Sequence, residues 1–132
     1  MEVTTMAETT MSMHEAEVSR AVRSLSMVLR ATPELQAFLK AAQAIEADTT
    51  VQGLLRQIHT HQFALQWSQD NPADHSTALK KLRADLEAQP SVQAYYQAEQ
   101  AAHELLQAVD ALISTTAGVD FAANAKRSCC GG

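Results

Sequence analysis

The chain has 132 residues, with 10 Lys+Arg against 15 Asp+Glu and a net charge of −5. A hydrophobic share of 46% and a charged share of 19% describe a globular chain, and with 4 Gly and 3 Pro they argue against all-β and glycine-rich nucleotide-binding folds. The local basic runs are Lys80-Lys81-Leu82-Arg83 and Lys126-Arg127; nucleic-acid binding is driven by cations meeting phosphates, so no direct nucleic-acid contact is expected.

Residues 1–11 are Thr- and Met-rich and read as a disordered N-terminal tail. Ser12-Met13-His14-Glu15 has the capping-box spacing of a helix start. Val18, Ala21, Val22, Leu25, Val28 and Leu29 then recur at steps of three and four, the stripe of an amphipathic helix ending near Ala31. Thr32-Pro33-Glu34 restarts the helix: Thr caps, Pro suits the first turn and Glu favours the positive helix end. Leu35, Phe38, Leu39, Ala42 and Ile45 form its stripe.

Asp48-Thr49-Thr50 offers three capping residues. A third stripe follows through Val51, Leu54, Leu55, Ile58, Gln62 and Leu65, toward Gln69 with Trp67 near its end. The second and third helices can be nearly continuous. Asp70-Asn71-Pro72-Ala73-Asp74 is the clearest loop, and a short helix with Leu79, Leu82 and Leu86 on its apolar face comes next.

Gln89-Pro90-Ser91 marks the last restart. From Val92 through Ile113 the helical spacing is unbroken, within a helix of about 27 residues and roughly 40 Å at about 1.5 Å per residue. Gly118 stands where a helix takes its left-handed closing residue. The expected fold is all-α, a bundle of four to five amphipathic helices with a long C-terminal helix. A single helical domain is read over 12–121 and a flexible, Cys-containing tail over 122–132, with Phe121 docking as the last apolar anchor.

An internal echo links two helix starts. Leu35-Gln36-Ala37-Phe38-Leu39-Lys40-Ala41 resembles Val92-Gln93-Ala94-Tyr95-Tyr96-Gln97-Ala98, each two residues after a proline. Amphipathic helices rich in Ala and Gln look alike by composition; the alternative is two related starts that pack in equivalent places.

A catalytic constellation is not legible. His59 and His61 lie two apart on a helix and face opposite ways, so they cannot share a metal. Glu99 and His103 share a face, yet a di-metal bundle site needs Glu-x-x-His from each of two helices, and the chain has no such motif. Gly-x-Ser-x-Gly and glycine-rich phosphate loops are also missing from the sequence. Phe38, Phe63, Trp67, Tyr95 and Tyr96 are expected in the core or in a subunit interface. Tyr95, Tyr96, Leu105, Leu106, Val109, Leu112 and Ile113 give the last helix a broad apolar face. A small bundle covers only part of so long a rod, so this face is expected to form the interface of a symmetric homodimer.

The cysteines are the adjacent pair Cys129 and Cys130. Two thiolates are soft donors suited to zinc, Cu(I) or an iron–sulfur cluster, but they do not complete a four-thiolate site. They remain open to three readings: idle thiols, a metal or cluster shared with another chain, or a redox pair. No run of about 18 apolar residues marks a membrane span, and Met1 to Met13 lacks a basic start before an apolar run. A cytoplasmic location is expected.

The Pro-x-aliphatic-Gln-Ala-Phe/Tyr starts at Pro33 and Pro90, the run Val109-Asp110-Ala111-Leu112-Ile113-Ser114, the Gly118-Val119-Asp120-Phe121 segment and the Cys-Gly ending together resemble the YlbF/YmcA-like family of bacterial regulators. The resemblance spans roughly residues 14 to 132. It implies a non-enzymatic, cytoplasmic adaptor forming homodimers or hetero-complexes with related helical regulators. It further implies an accessory role toward ribonuclease Y in mRNA processing, and a link to iron–sulfur clusters for which Cys129 and Cys130 match by position. The alternative is a metal- or redox-responsive module that shares a cluster or metal with a partner through those two cysteines.

Overall fold

A computed structural model describes the backbone of residues 2–121 and 123, and the side chains from residue 12 onward within that range. Five helices follow one another: α1 (Glu2–Arg30), α2 (Pro33–Ala47), α3 (Thr49–Trp67), α4 (Pro72–Glu87) and α5 (Pro90–Ala117). Among the described residues there is no strand, so the fold is all-α with a long C-terminal helix. The chain divides into two compact units, Met1–Gln36 and Ala37–Gly132.

In the first unit, α1 is helical from Glu2, so the start expected at Ser12 lies inside the helix and the backbone of residues 2–11 is helical rather than irregular. The reason is local. A capping box marks an end only where the upstream chain leaves helical dihedrals, and no Gly or Pro between Glu2 and Arg30 forces it to. The stripe Val18, Val22, Leu25 and Val28 is present on α1 and exposed along its length. At Thr32 the helix breaks as expected: the Leu35 N–H donates to Thr32 Oγ1, and that hydroxyl donates to the Leu29 carbonyl.

In the second unit a single extended residue, Asp48, separates α2 from α3. Its Oδ1 accepts from the N–H groups of Thr50 (3.0 Å) and Val51 (3.1 Å), satisfying two orphan donors of the first turn. Its Oδ2 accepts from Ser91 Oγ at 2.7 Å, across 43 residues of sequence. The junction of α2 and α3 is thereby tied to the first turn of α5. Asn71 caps α4 through the Ala73 N–H, with Pro72 in the first turn.

The core is small. Ile58 of α3 meets Leu79 and Leu82 of α4, with Leu54 and Leu86 packed against them. Val51, 1% exposed, and Val92 are buried near the Asp48–Ser91 tie. Phe38 and Tyr95, the matching positions of the two echoed helix starts, place their rings 5.4 Å apart. The echo therefore has a structural counterpart, in which equivalent positions of α2 and α5 pack on each other. The aromatics do not enter the core: Phe38 and Tyr95 are half-buried, and Tyr96, Phe63 and Trp67 are exposed, Trp67 at 69%.

Helix α5 closes as its sequence predicts. Gly118 takes φ 71°, and the Val119 N–H bonds back to the Ser114 carbonyl at 3.1 Å, the six-to-one bond of a Schellman ending. A Cβ at Gly118 would meet no atom within 4 Å, so the cost of adding one comes from the backbone alone. Gly118→Ala is expected to cost about 1–2 kcal/mol, read as a lowered urea midpoint with an unchanged slope. Phe121, expected to dock, is exposed at 45%: among the described residues no apolar surface covers it, so the single ring stays largely in solvent. Cys129 and Cys130 lie outside the described residues.

Candidate protein-interaction surface

Two features of the second unit present apolar surface that is exposed among the described residues. The first is a groove of about 330 Å³. Ala42, Ile45 and Glu46 of α2, Val51 and Leu55 of α3, Leu86 of α4, and Val92, Tyr95 and Tyr96 of α5 line it. Its size suits a few large side chains, and Glu46 is its only charged wall residue. Its shape follows from local chemistry. Asp48 interrupts the helix between α2 and α3, and the Ser91 bond holds α5 beside that break, so an apolar hollow lies where four helix ends meet.

The second feature is the distal half of α5. Leu106, Leu112 (67% exposed) and Ile113 are exposed, while Leu105 and Val109 are half-buried. The seven residues that the sequence singles out thus fall into two places. Tyr95 and Tyr96 belong to the groove, Tyr96 being 50% exposed at its edge, and the other five lie farther along the same helix. Phe63 and Trp67, with ring centres 6.4 Å apart, form a separate exposed aromatic pair at the end of α3.

Electrostatics of the groove's foundation centre on Asp48. The Ser91 hydroxyl, followed by the N–H groups of Val51 and Thr50, holds its carboxyl below the usual 3.8, against a smaller opposing effect of burial. A carboxyl lowered by folding leaves the folded chain with fewer bound protons than the unfolded one between the two pKa values. Its stabilising contribution is therefore complete above the unfolded value and disappears as pH falls through the folded one. Asp48→Asn keeps an acceptor for the cap but removes the charge. The variant is expected to melt below the wild type at pH 7, and thermal melts across pH 7 to 2.5 should show that difference closing below about pH 4.

Polar chemistry is sparse elsewhere. Among the described residues, no group of three His, Cys, Asp or Glu converges to hold a metal ion. Glu99 and His103 are both exposed and make no ion pair with each other. An all-cysteine iron–sulfur cluster takes four thiolates, and the chain has 2 cysteines. One polar pair escapes sequence reading: His61 of α3 and His75 of α4 bring their Nδ1 atoms within 2.9 Å. The signal was the short loop between them, which folds α4 back along α3; the periodicity of either helix alone does not pair them.

No described helix is long and apolar enough to cross a membrane. No curated protein and no solved structure matches the chain. A family model does match, over residues 18–116, and its description reads control of competence regulator ComK, YlbF/YmcA. That span runs from the apolar stripe of α1 to the last turn of α5, taking in both proline restarts, the groove and the exposed face of α5, and the chain belongs to the YlbF/YmcA family of competence regulators.

Proposed function

We infer that this chain is a non-enzymatic regulatory adaptor that works by helix-mediated protein binding. The observation that carries this reading is the run of exposed apolar side chains on the distal half of α5, Leu106, Leu112 and Ile113, continuing a helix whose first half already lines a groove. Contiguous exposed apolar surface of this kind marks interfaces in soluble chains. A second copy, or a related helical regulator, supplies the covering face. The acidic balance of −5 supports a protein partner over direct contact with RNA.

Family membership supports placing the adaptor beside ribonuclease Y as an accessory factor of mRNA processing in the cytoplasm. Co-purification from the native host tests this. Ribonuclease Y is expected to be recovered with the tagged wild type and lost with Leu112→Asp. Its absence from the wild-type eluate, while the tagged chain still pairs with itself, would remove the ribonuclease Y assignment and leave the adaptor reading standing.

A further inference from the structure

We propose that His61 and His75 form a single-proton clamp between α3 and α4 that opens in acid, making the connection through residues 68–71 a pH-responsive hinge. The two Nδ1 atoms are 2.9 Å apart, a full hydrogen-bond distance for nitrogen donors and acceptors. The ring centres are 5.2 Å apart, so the nitrogens face one another nearly head-on along the line between the rings. This arrangement suits one shared proton and leaves no room for a cation between the rings. A metal would need the two lone pairs to converge on a point off that line.

Proton counting gives the switch. A neutral imidazole has one N–H and one acceptor nitrogen, so the contact requires one Nδ1–H and one bare Nδ1. Asp70 decides which is which. Its Oδ2 lies 3.9 Å from His75 Nε2, and its own N–H is anchored on Ser68 Oγ at 3.1 Å. The carboxylate favours a proton on His75 Nε2, which leaves His75 Nδ1 as the acceptor and His61 Nδ1–H as the donor. One added proton is tolerated, because it goes to His61 Nε2 and strengthens the donor. A second must occupy His75 Nδ1, where two N–H groups and two positive charges then oppose each other and the bond is lost.

The surroundings do not supply another way to hold that second charge. The helical neighbours of His61 at three and four residues are Ile58, Gln57, Ala64 and Leu65, and those of His75 on α4 are Pro72, Ala78 and Leu79; none of them carries an ionisable side chain. His59 and Asp74 are close in sequence but lie on other faces of their helices. Among the described residues Asp70 is the only carboxylate within 4.0 Å of either ring, and no group of α5 forms an ion pair with them. Asp70 can offset one charge from its exposed position, not two. Helix α4 also carries Leu86 to the groove wall, so the angle at which this hinge holds α4 sets one side of the groove.

Two measurements on the full chain test the clamp. Imidazole ¹⁵N spectra at pH 7.5 should show His75 with a bare Nδ1 and His61 with a protonated one, which is the less common tautomer of free histidine. Amide hydrogen exchange, corrected for its intrinsic pH dependence, should show protection at the end of α3 and the start of α4 retained while one added proton is held and falling roughly three- to tenfold once both rings are charged, followed from pH 7.5 to pH 4, the loss of one hydrogen bond. His61→Phe should exchange at pH 7.5 as the wild type does at pH 4, with no further change on acidification. Two Nε2–H tautomers at pH 7.5, or protection that is equal at the two pH values, or a full pH response surviving in His61→Phe, would each overturn the proposal; the spectra need only the wild type and so do not depend on the variant folding.

Discussion

Leu79→Ala is expected to destabilise the second unit by about 2–5 kcal/mol. Leu79 is 5% exposed and sits in the one cluster, with Ile58 and Leu82, where α4 meets α3. Removing its branched end takes apolar atoms out of contact and leaves a cavity that neighbouring side chains fill only in part, and both effects act in the same direction. The consequence is unusually large here because the core is short of substitutes. Among the described residues, those buried beyond this cluster are Ala41, Val51, Val92 and Ala102, none of them larger than Val. Domains of this size are stable by only about 5–15 kcal/mol, so the loss removes a large fraction of the total. Urea unfolding followed by helical circular dichroism checks it. A midpoint unchanged from wild type would show that α4 contributes little to the cooperative unit and that the described core is not what holds it together.

The second large effect concerns assembly. Leu112→Asp combined with Leu106→Asp is expected to leave the helical signal of the isolated subunit nearly unchanged and to lower its melting only modestly, since Leu112 is 67% and Leu106 44% exposed. Self-association should nonetheless weaken at least about thirtyfold, the effect of losing roughly 2 kcal/mol from a central apolar anchor. The asymmetry between the two readouts is the point of the experiment. A side chain that matters only to its own fold changes both, and one that faces a partner changes assembly alone. Sedimentation or light scattering of wild type and variant over a micromolar series provides the comparison. A dimer that persists in the variant would move the interface away from α5, with the exposed Phe63–Trp67 pair and the α1 stripe as the next surfaces to alter.

The order of helices was legible because each boundary is written in neighbouring residues. Pro33 and Pro90 open helices, Asp48 and Asn71 cap them, and Gly118 ends the last one with a positive φ. These are interactions over two to six residues, so the sequence alone suffices to find them. The start of α1 was misread for a related reason: Ser12 and Glu15 have the spacing of a cap, but spacing does not say whether the chain before them leaves the helix.

Which apolar residues are buried, and which polar ones meet, belonged to the tertiary structure. Periodicity places Leu65, Leu79 and Leu82 on helical stripes, yet only the latter two are buried, because coverage depends on where α4 comes to rest after the Ser68–Asn71 turn. The Ser91–Asp48 bond joins residues 43 apart, and the His61–His75 contact joins residues 14 apart on different helices. No local pattern encodes either distance. The sequence by itself determined an all-α chain of four to five amphipathic helices and its resemblance to the YlbF/YmcA family. Only the packing of those helices decided that a short core would leave an apolar groove and half of α5 exposed, because burial is a property of neighbours in space while propensity and capping are properties of neighbours along the chain.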